Sequence, residues 1–134
     1  MKNDKEVQKK YAEFQLLQQQ LESIQKYIEE LDIKQNEFQQ TKEGMNKLEK
    51  VKSGSELFVP IAQGIFVKAR LNDMDEILVN VGANIAVAKS IPKVTELMEN
   101  QIGEIQNIRI QLDESVEKIT ERLNILLGEL QVLS

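Results

Sequence analysis

The chain contains no cysteine, no histidine and no tryptophan, and only two prolines. Without cysteine there is no disulfide framework and no thiol chemistry. Without histidine there is no imidazole acid–base catalyst, and the Cys/His zinc sets are excluded as well. No glycine-rich phosphate loop is present. Aromatic residues make up 4% of the 134, too few to furnish one thick core, so apolar area must be buried along thin seams or between subunits. No apolar run approaches the ~20 residues of a membrane span, and the start, Met1 to Glu6, lacks the apolar stretch of a secretory signal. A net charge of −5 and a pI near 4.9 argue against nucleic acid or an anionic membrane as partner. The expectation is a cytoplasmic protein that is not an enzyme.

What is present is periodicity. From Val7 to about Val51 there is no proline and one glycine, and Gln, Glu, Lys and Leu dominate. Apolar residues recur at Phe14, Leu17, Leu21, Ile24, Ile28, Leu31, Phe38 and Met45 in steps of three and four, the seam of a coiled coil. Asp4 is the expected N-cap, and Ser53-Gly54 the stop. A second helix is announced by Ser90-Ile91-Pro92, with proline in the first turn where its missing N–H does no harm. Its seam runs Met98, Ile102, Ile105, Arg109, Leu112, Val116, Ile119, Leu123, Leu126, Leu130, Leu133. Each helix is expected to be roughly 60–70 Å long.

Between the helices the period changes to two. Glu56–Pro60, Gly64–Leu71, Ile77–Val81 and Ile85–Lys89 are short and rich in β-branched residues, separated by turn-forming stretches. They predict two β-hairpins, with Leu57, Val59, Ile65, Val67, Ala69 and Leu71 on an apolar face of the first. Ile77, Val79, Val81, Ile85 and Val87 form that of the second. Hairpins this small are not stable alone, so these residues are the expected oligomerisation surface. The fold class is therefore mainly α with small β: an antiparallel coiled-coil hairpin with two central β-hairpins. The expected segments are a helix over 1–52, the hairpins over 53–90 and a helix over 91–134, together one domain.

Folding back at the hairpins makes the helices antiparallel, with facing numbers summing to about 143–144. Phe14 then faces Leu130, Leu17 faces Leu126, and Gln35 meets Arg109 in a single polar layer able to fix register. Coincidence is the competing reading of that layer. Gly44 and Gly103 would lie together near the strands, either permitting close approach or merely tolerated. At the other end, Leu126, Leu127, Leu130, Val132 and Leu133 crowd opposite Tyr11, Phe14, Leu16 and Leu17. Two readings stand: a simple cap on the coil, or an apolar tip that contacts other proteins. The acidic turn Asp73, Asp75, Glu76 lacks the EF-hand pattern, so no metal or cofactor is expected.

Helix, two hairpins, helix over the whole chain resembles the α-class subunit of prefoldin. The likeness is carried by Glu56–Leu71, with its Val59-Pro60, the turn at Gly64 and the strand ending Lys68-Ala69-Arg70-Leu71. The second hairpin, around Val81-Gly82, is similar too. The resemblance implies that the hairpins join those of β-class subunits into an intersubunit β-barrel, a body from which coiled coils hang like tentacles. It further implies an ATP-independent holding chaperone whose tips bind unfolded proteins and deliver them to a group II chaperonin. The family includes archaeal α-like members that assemble with themselves into filaments, and the strand segment looks archaeal. Partners are thus β-class subunits or further copies, unfolded clients and the chaperonin. The sequence reaches Ser134 with no charged tail, for which two readings stand: a leucine-rich tip left uncovered for clients, or a truncation. A filament-forming structural protein is the competing class. A membrane-tethering bundle is disfavoured by the absence of an anchor or basic face.

Overall fold

The computed structural model describes residues Lys2–Leu133, with side chains from Asp4 onward; Met1 and Ser134, the outer limits of the first and last expected segments, lie outside it. The order is α1 (Lys2–Glu49), β1 (Glu56–Ala62), β2 (Ile65–Arg70), β3 (Ile77–Gly82), β4 (Ile85–Lys89) and α2 (Ile91–Leu133). The chain divides into two compact units, one of residues 1–35 and 103–134, the other of residues 36–102. Among the described residues no helix is long and apolar enough to cross a membrane.

The first unit is an antiparallel pair of helical arms. Side chains with reduced exposure recur at Phe14, Leu17, Leu21, Ile24, Ile28, Leu31 and Gln35. On α2 they recur at Ile105, Arg109, Leu112, Val116, Ile119, Leu123, Leu126 and Leu130. This is the three-four repeat that two helices need to keep one stripe in contact. Leu31, Ile105 and Leu126 are buried, and Leu126 alone is completely so. Asp4 sits inside the first turn of α1 and not at its cap, because the helix already begins by Lys2. There it still faces the positive end of the helix dipole.

The register differs from the expected one. Arg109 does not meet Gln35. Its Nη1 donates to Asp32 and its Nε to Asp113 Oδ1 at 3.1 Å. Lys10 pairs with Glu129 at 2.8 Å, and Glu13 with Arg122 at 2.8 Å. These contacts fit an alignment with Phe14 level with Leu126, Leu17 with Leu123, Leu31 with Arg109 and Gln35 with Ile105. The reason lies in the steps. Read in opposite directions, the two seams match three against three and four against four in this alignment, whereas the expected one set threes against fours; alignments one heptad away match as well, and the ion pairs select between them. Cysteines at 17 and 123 are therefore expected to cross-link on oxidation, and cysteines at 17 and 126 to do so poorly, as read by non-reducing electrophoresis.

The second unit holds both hairpins. β1 and β2 are antiparallel, pairing Leu57 with Ala69 and Val59 with Val67; β3 and β4 pair Val79 with Val87. Each first strand carries one extra residue before its turn, between Pro60 and Ala62 and between Asn80 and Gly82. Such a bulge sharpens the local twist. The second turn places Ala83 and Asn84 at positive φ, the conformation of a tight two-residue hairpin loop. Pairing of the first hairpin continues past its strands through Leu71 N–H to Ser55 O at 2.9 Å and Ser53 Oγ to Asn72 O at 3.0 Å. α1 ends as the expected Ser53-Gly54 stop implies, a few residues early, with Gly54 at φ 87°. α2 starts on Ser90, whose hydroxyl accepts from Lys93 N–H at 3.3 Å as an N-cap should. Near that start Ile91, Val94 and Ile102 are buried, and Lys42 pairs with Glu99 at 3.3 Å. A Cβ at Gly44 or at Gly103 would meet nothing within 4 Å, so neither glycine serves a close helix approach.

Candidate functional site

Two surfaces stand out, because both expose apolar side chains that the chain itself does not cover. The first is on the hairpins. Each sheet has two strands, so every strand has one unpaired edge. Of the expected face, Val59, Ile65, Val67, Val81, Ile85 and Val87 are exposed. Leu57, Ala69, Leu71, Ile77 and Val79 are half-buried. The opposite faces carry apolar groups that the sequence reading missed: Phe58, 68% exposed, with Pro60 and Phe66 on the first hairpin, and Leu78, 76% exposed, on the second. Their signal was available, since a period of two puts Phe58 and Phe66 on one face as surely as it puts Val59 and Val67 on the other. Near the base of the first hairpin that face turns polar. Arg70 approaches Glu56 at 4.0 Å, and Lys68 Nζ lies 6.0 Å from the Phe58 ring.

The second surface is the end of the arms, where α1 begins and α2 finishes. Tyr11, Leu16, Leu127 and Val132 are exposed, the last at 86%. Phe14, Leu17, Leu130 and Leu133 are half-buried in the seam. Leu126 has no exposed surface and is corrected from a contact residue to the packed centre of this end. Ile125, 52% exposed, belongs to the surface and was missed; it precedes Val132 by seven residues and so shares its helix face. With Lys10, Gly128, Glu129 and Leu133 these two line an open groove of about 530 Å³.

Ion pairs fasten the helices around Leu126. Arg122 donates through Nε to Glu13 Oε1 at 2.8 Å and through Nη2 to Oε2 at 3.1 Å, the forked geometry that suits guanidinium and carboxylate. The hydrogen bonds that Arg122 donates to Glu13 hold the Glu13 carboxyl below its ordinary value and raise that of Arg122. Arg109 is raised likewise, first by Asp32 and then by Asp113. Because the folded-state value of Glu13 is lowered, its contribution is present at neutral pH and is lost as pH falls through that lowered value. Among the described residues no group of three or more His, Cys, Asp or Glu is placed to hold a metal ion. Among the described residues neither surface brings together an acid, a base and a nucleophile; what both offer is apolar area.

The family model described as Prefoldin subunit matches residues 17–134. Prefoldin subunit alpha 1 of Thermococcus kodakarensis is 37% identical over 92 residues, 69% of this chain and 63% of that protein. Prefoldin subunit alpha of Pyrococcus horikoshii is 32% identical over 103 residues, 76% and 70% of the two chains. That of Archaeoglobus fulgidus is 29% identical over 106 residues, 79% and 77%. Among solved structures, the cryo-EM structure of filamentous PFD from Methanocaldococcus jannaschii shares the fold. Its TM-score is 0.74 at 21% identity, covering 86% of this chain and 95% of that one. Two long helices joined through two β-hairpins, matched by the family over all but the first sixteen residues, make this chain a member of the prefoldin family, whose members are chaperone subunits.

Proposed function

We propose that this chain is a subunit of an ATP-independent holding chaperone of the cytoplasm. It assembles through its β-hairpins and binds unfolded proteins at the ends of its helical arms for delivery to a group II chaperonin. The observation that carries the reading is the exposed cluster Tyr11, Leu16, Ile125, Leu127 and Val132 around a fully buried Leu126. A packed seam keeps the helices together, and side chains that packing does not use are left for another protein. Clients present varied sequences, so undirected apolar contact suits the task better than a shaped polar pocket. Each contact is weak, and several arms acting on one client raise the effective concentration enough to hold it.

The oligomerisation surface follows from the other cluster. Leu57, Val59, Ile65, Val67, Ala69 and Leu71 join Ile77, Val79, Val81, Ile85 and Val87 in covering strands of neighbouring subunits, either β-class chains or further copies. Self-assembly into a filament is the second reading. It is favoured by apolar groups on both faces of the first hairpin, and the fold neighbour is itself a filamentous PFD. Light scattering of the purified chain over a concentration series separates the two: a small species that grows on adding a β-class subunit, or large elongated species from this chain alone.

Holding is tested by diluting a guanidinium-unfolded protein into buffer containing the assembled chain and no nucleotide. Turbidity is expected to stay low at stoichiometric chaperone, and to be indifferent to added ATP. Unchanged turbidity at every ratio would sink the holding role and leave the structural one.

A further inference from the structure

Gly128 stands inside α2 with no structural reason to be glycine. Its φ is not positive, and a Cβ built on it would meet nothing within 4 Å, so neither a turn nor a close backbone approach calls for it. Glycine is also the poorest helix former after proline. What the missing side chain leaves is space. Ile125 lies three residues before and Val132 four residues after, which puts all three on one helix face. The two apolar side chains flank Gly128 in this open groove, whose lining also includes Lys10, Glu129 and Leu133. The two lining charges neutralise one another, since Lys10 Nζ lies 2.8 Å from Glu129 Oε2.

We infer that this notch over Gly128 is a subsite for a single uncharged apolar side chain of an unfolded polypeptide. The inference rests on the holding role proposed above and names what is held, and where. The paired charges give no purchase to a charged group, and the flanking side chains are hydrocarbon. The groove by itself is too small to be an interface with a second copy of this chain. A stable protein interface needs about 800 Å² from each partner. Two helical turns span only about 11 Å, so the groove offers on the order of 100–200 Å². One side chain of an extended segment fits that area, and repetition over several arms supplies the rest of the affinity.

The test is an anisotropy titration of fluorescein-labelled, reduced and carboxymethylated α-lactalbumin, a chain that stays unfolded, with the purified protein and three variants. Gly128→Gln fills the notch with a polar side chain and is expected to weaken binding roughly tenfold, the loss of one buried apolar contact. Gly128→Ala leaves most of the space while stiffening the helix, and Asn124→Gln places the same new side chain one turn away. Both are expected to bind within about twofold of the parent. Circular dichroism confirms that each variant is folded, and Ile125→Gln, which removes a flanking apolar side chain, provides a second route to the same loss. Parental affinity in Gly128→Gln overturns the subsite and leaves the holding role standing. Equal losses in Gly128→Gln and Gly128→Ala also overturn it, by assigning Gly128 to backbone flexibility. No binding by the parent itself overturns both.

Discussion

Replacing Ile125, Leu127 and Val132 together by serine is expected to weaken client holding about a hundredfold while leaving helix content and oligomer size unchanged. All three are exposed, so the substitutions remove no packing within the arms. Substitutions at such positions change stability by about 0.5 kcal/mol or less. A client that covers them gains up to ~1.5–3 kcal/mol for each side chain fully buried. Three partly covered side chains therefore amount to about 3 kcal/mol, which is roughly a hundredfold in affinity for one arm. The choice of residues matters. Leu126, Leu130 and Leu133 are equally apolar, but the first is fully buried and the others half-buried in the seam. Serine there costs about 2–5 kcal/mol of packing and unfastens the arm, so loss of activity would say nothing about contact. Turbidity assays report holding, and melting curves with light scattering report the rest. Full activity in the folded, assembled triple variant would remove the arm end from the account.

The second large effect is on assembly. Val67→Asp with Val87→Asp, one substitution in each hairpin, is expected to turn the oligomer into monomers whose helix signal in circular dichroism persists. Val67 and Val87 are exposed in the single chain, so the carboxylates cost little there. Buried between subunits without a partner, each costs several kcal/mol, enough to weaken association more than a hundredfold. Two-stranded sheets are marginal without cover, so the hairpins of the dissociated chain should also exchange their amide hydrogens quickly. Sedimentation velocity reads the first outcome and hydrogen exchange the second. An oligomer of unchanged mass in the double variant would show that these faces are not the interface.

Much of this was legible in the residues themselves. The alternation of β-branched side chains placed all four strands to within a residue or two, and Ser90-Ile91-Pro92 marked the start of α2 because proline tolerates only the first turn. The seams were legible because burial on a helix has one period. Register was harder. A polar pair such as Gln35 and Arg109 invites alignment. Arginine, however, has a long side chain and a stronger partner in a carboxylate, and it reached Asp32 and Asp113 from the seam. The bulges at the two turns were hidden because an extra residue leaves composition unchanged. At the arm end, apolar residues read alike whether buried or exposed. Only packing separated Leu126 from its neighbour Ile125, which differ by a rotation of about 100° around the helix.

The central claim is that clients are held at the end of the arms and subunits at the hairpins. Site-specific photo-cross-linking tests it most directly. A benzoylphenylalanine is placed in turn at Val132, at Ile33 partway along the arm, and at Phe58 on the first hairpin, and irradiated with an unfolded client present. The account expects client adducts from position 132, few from position 33, and subunit-to-subunit adducts from position 58. Client adducts chiefly from position 58, with none from position 132, would contradict it.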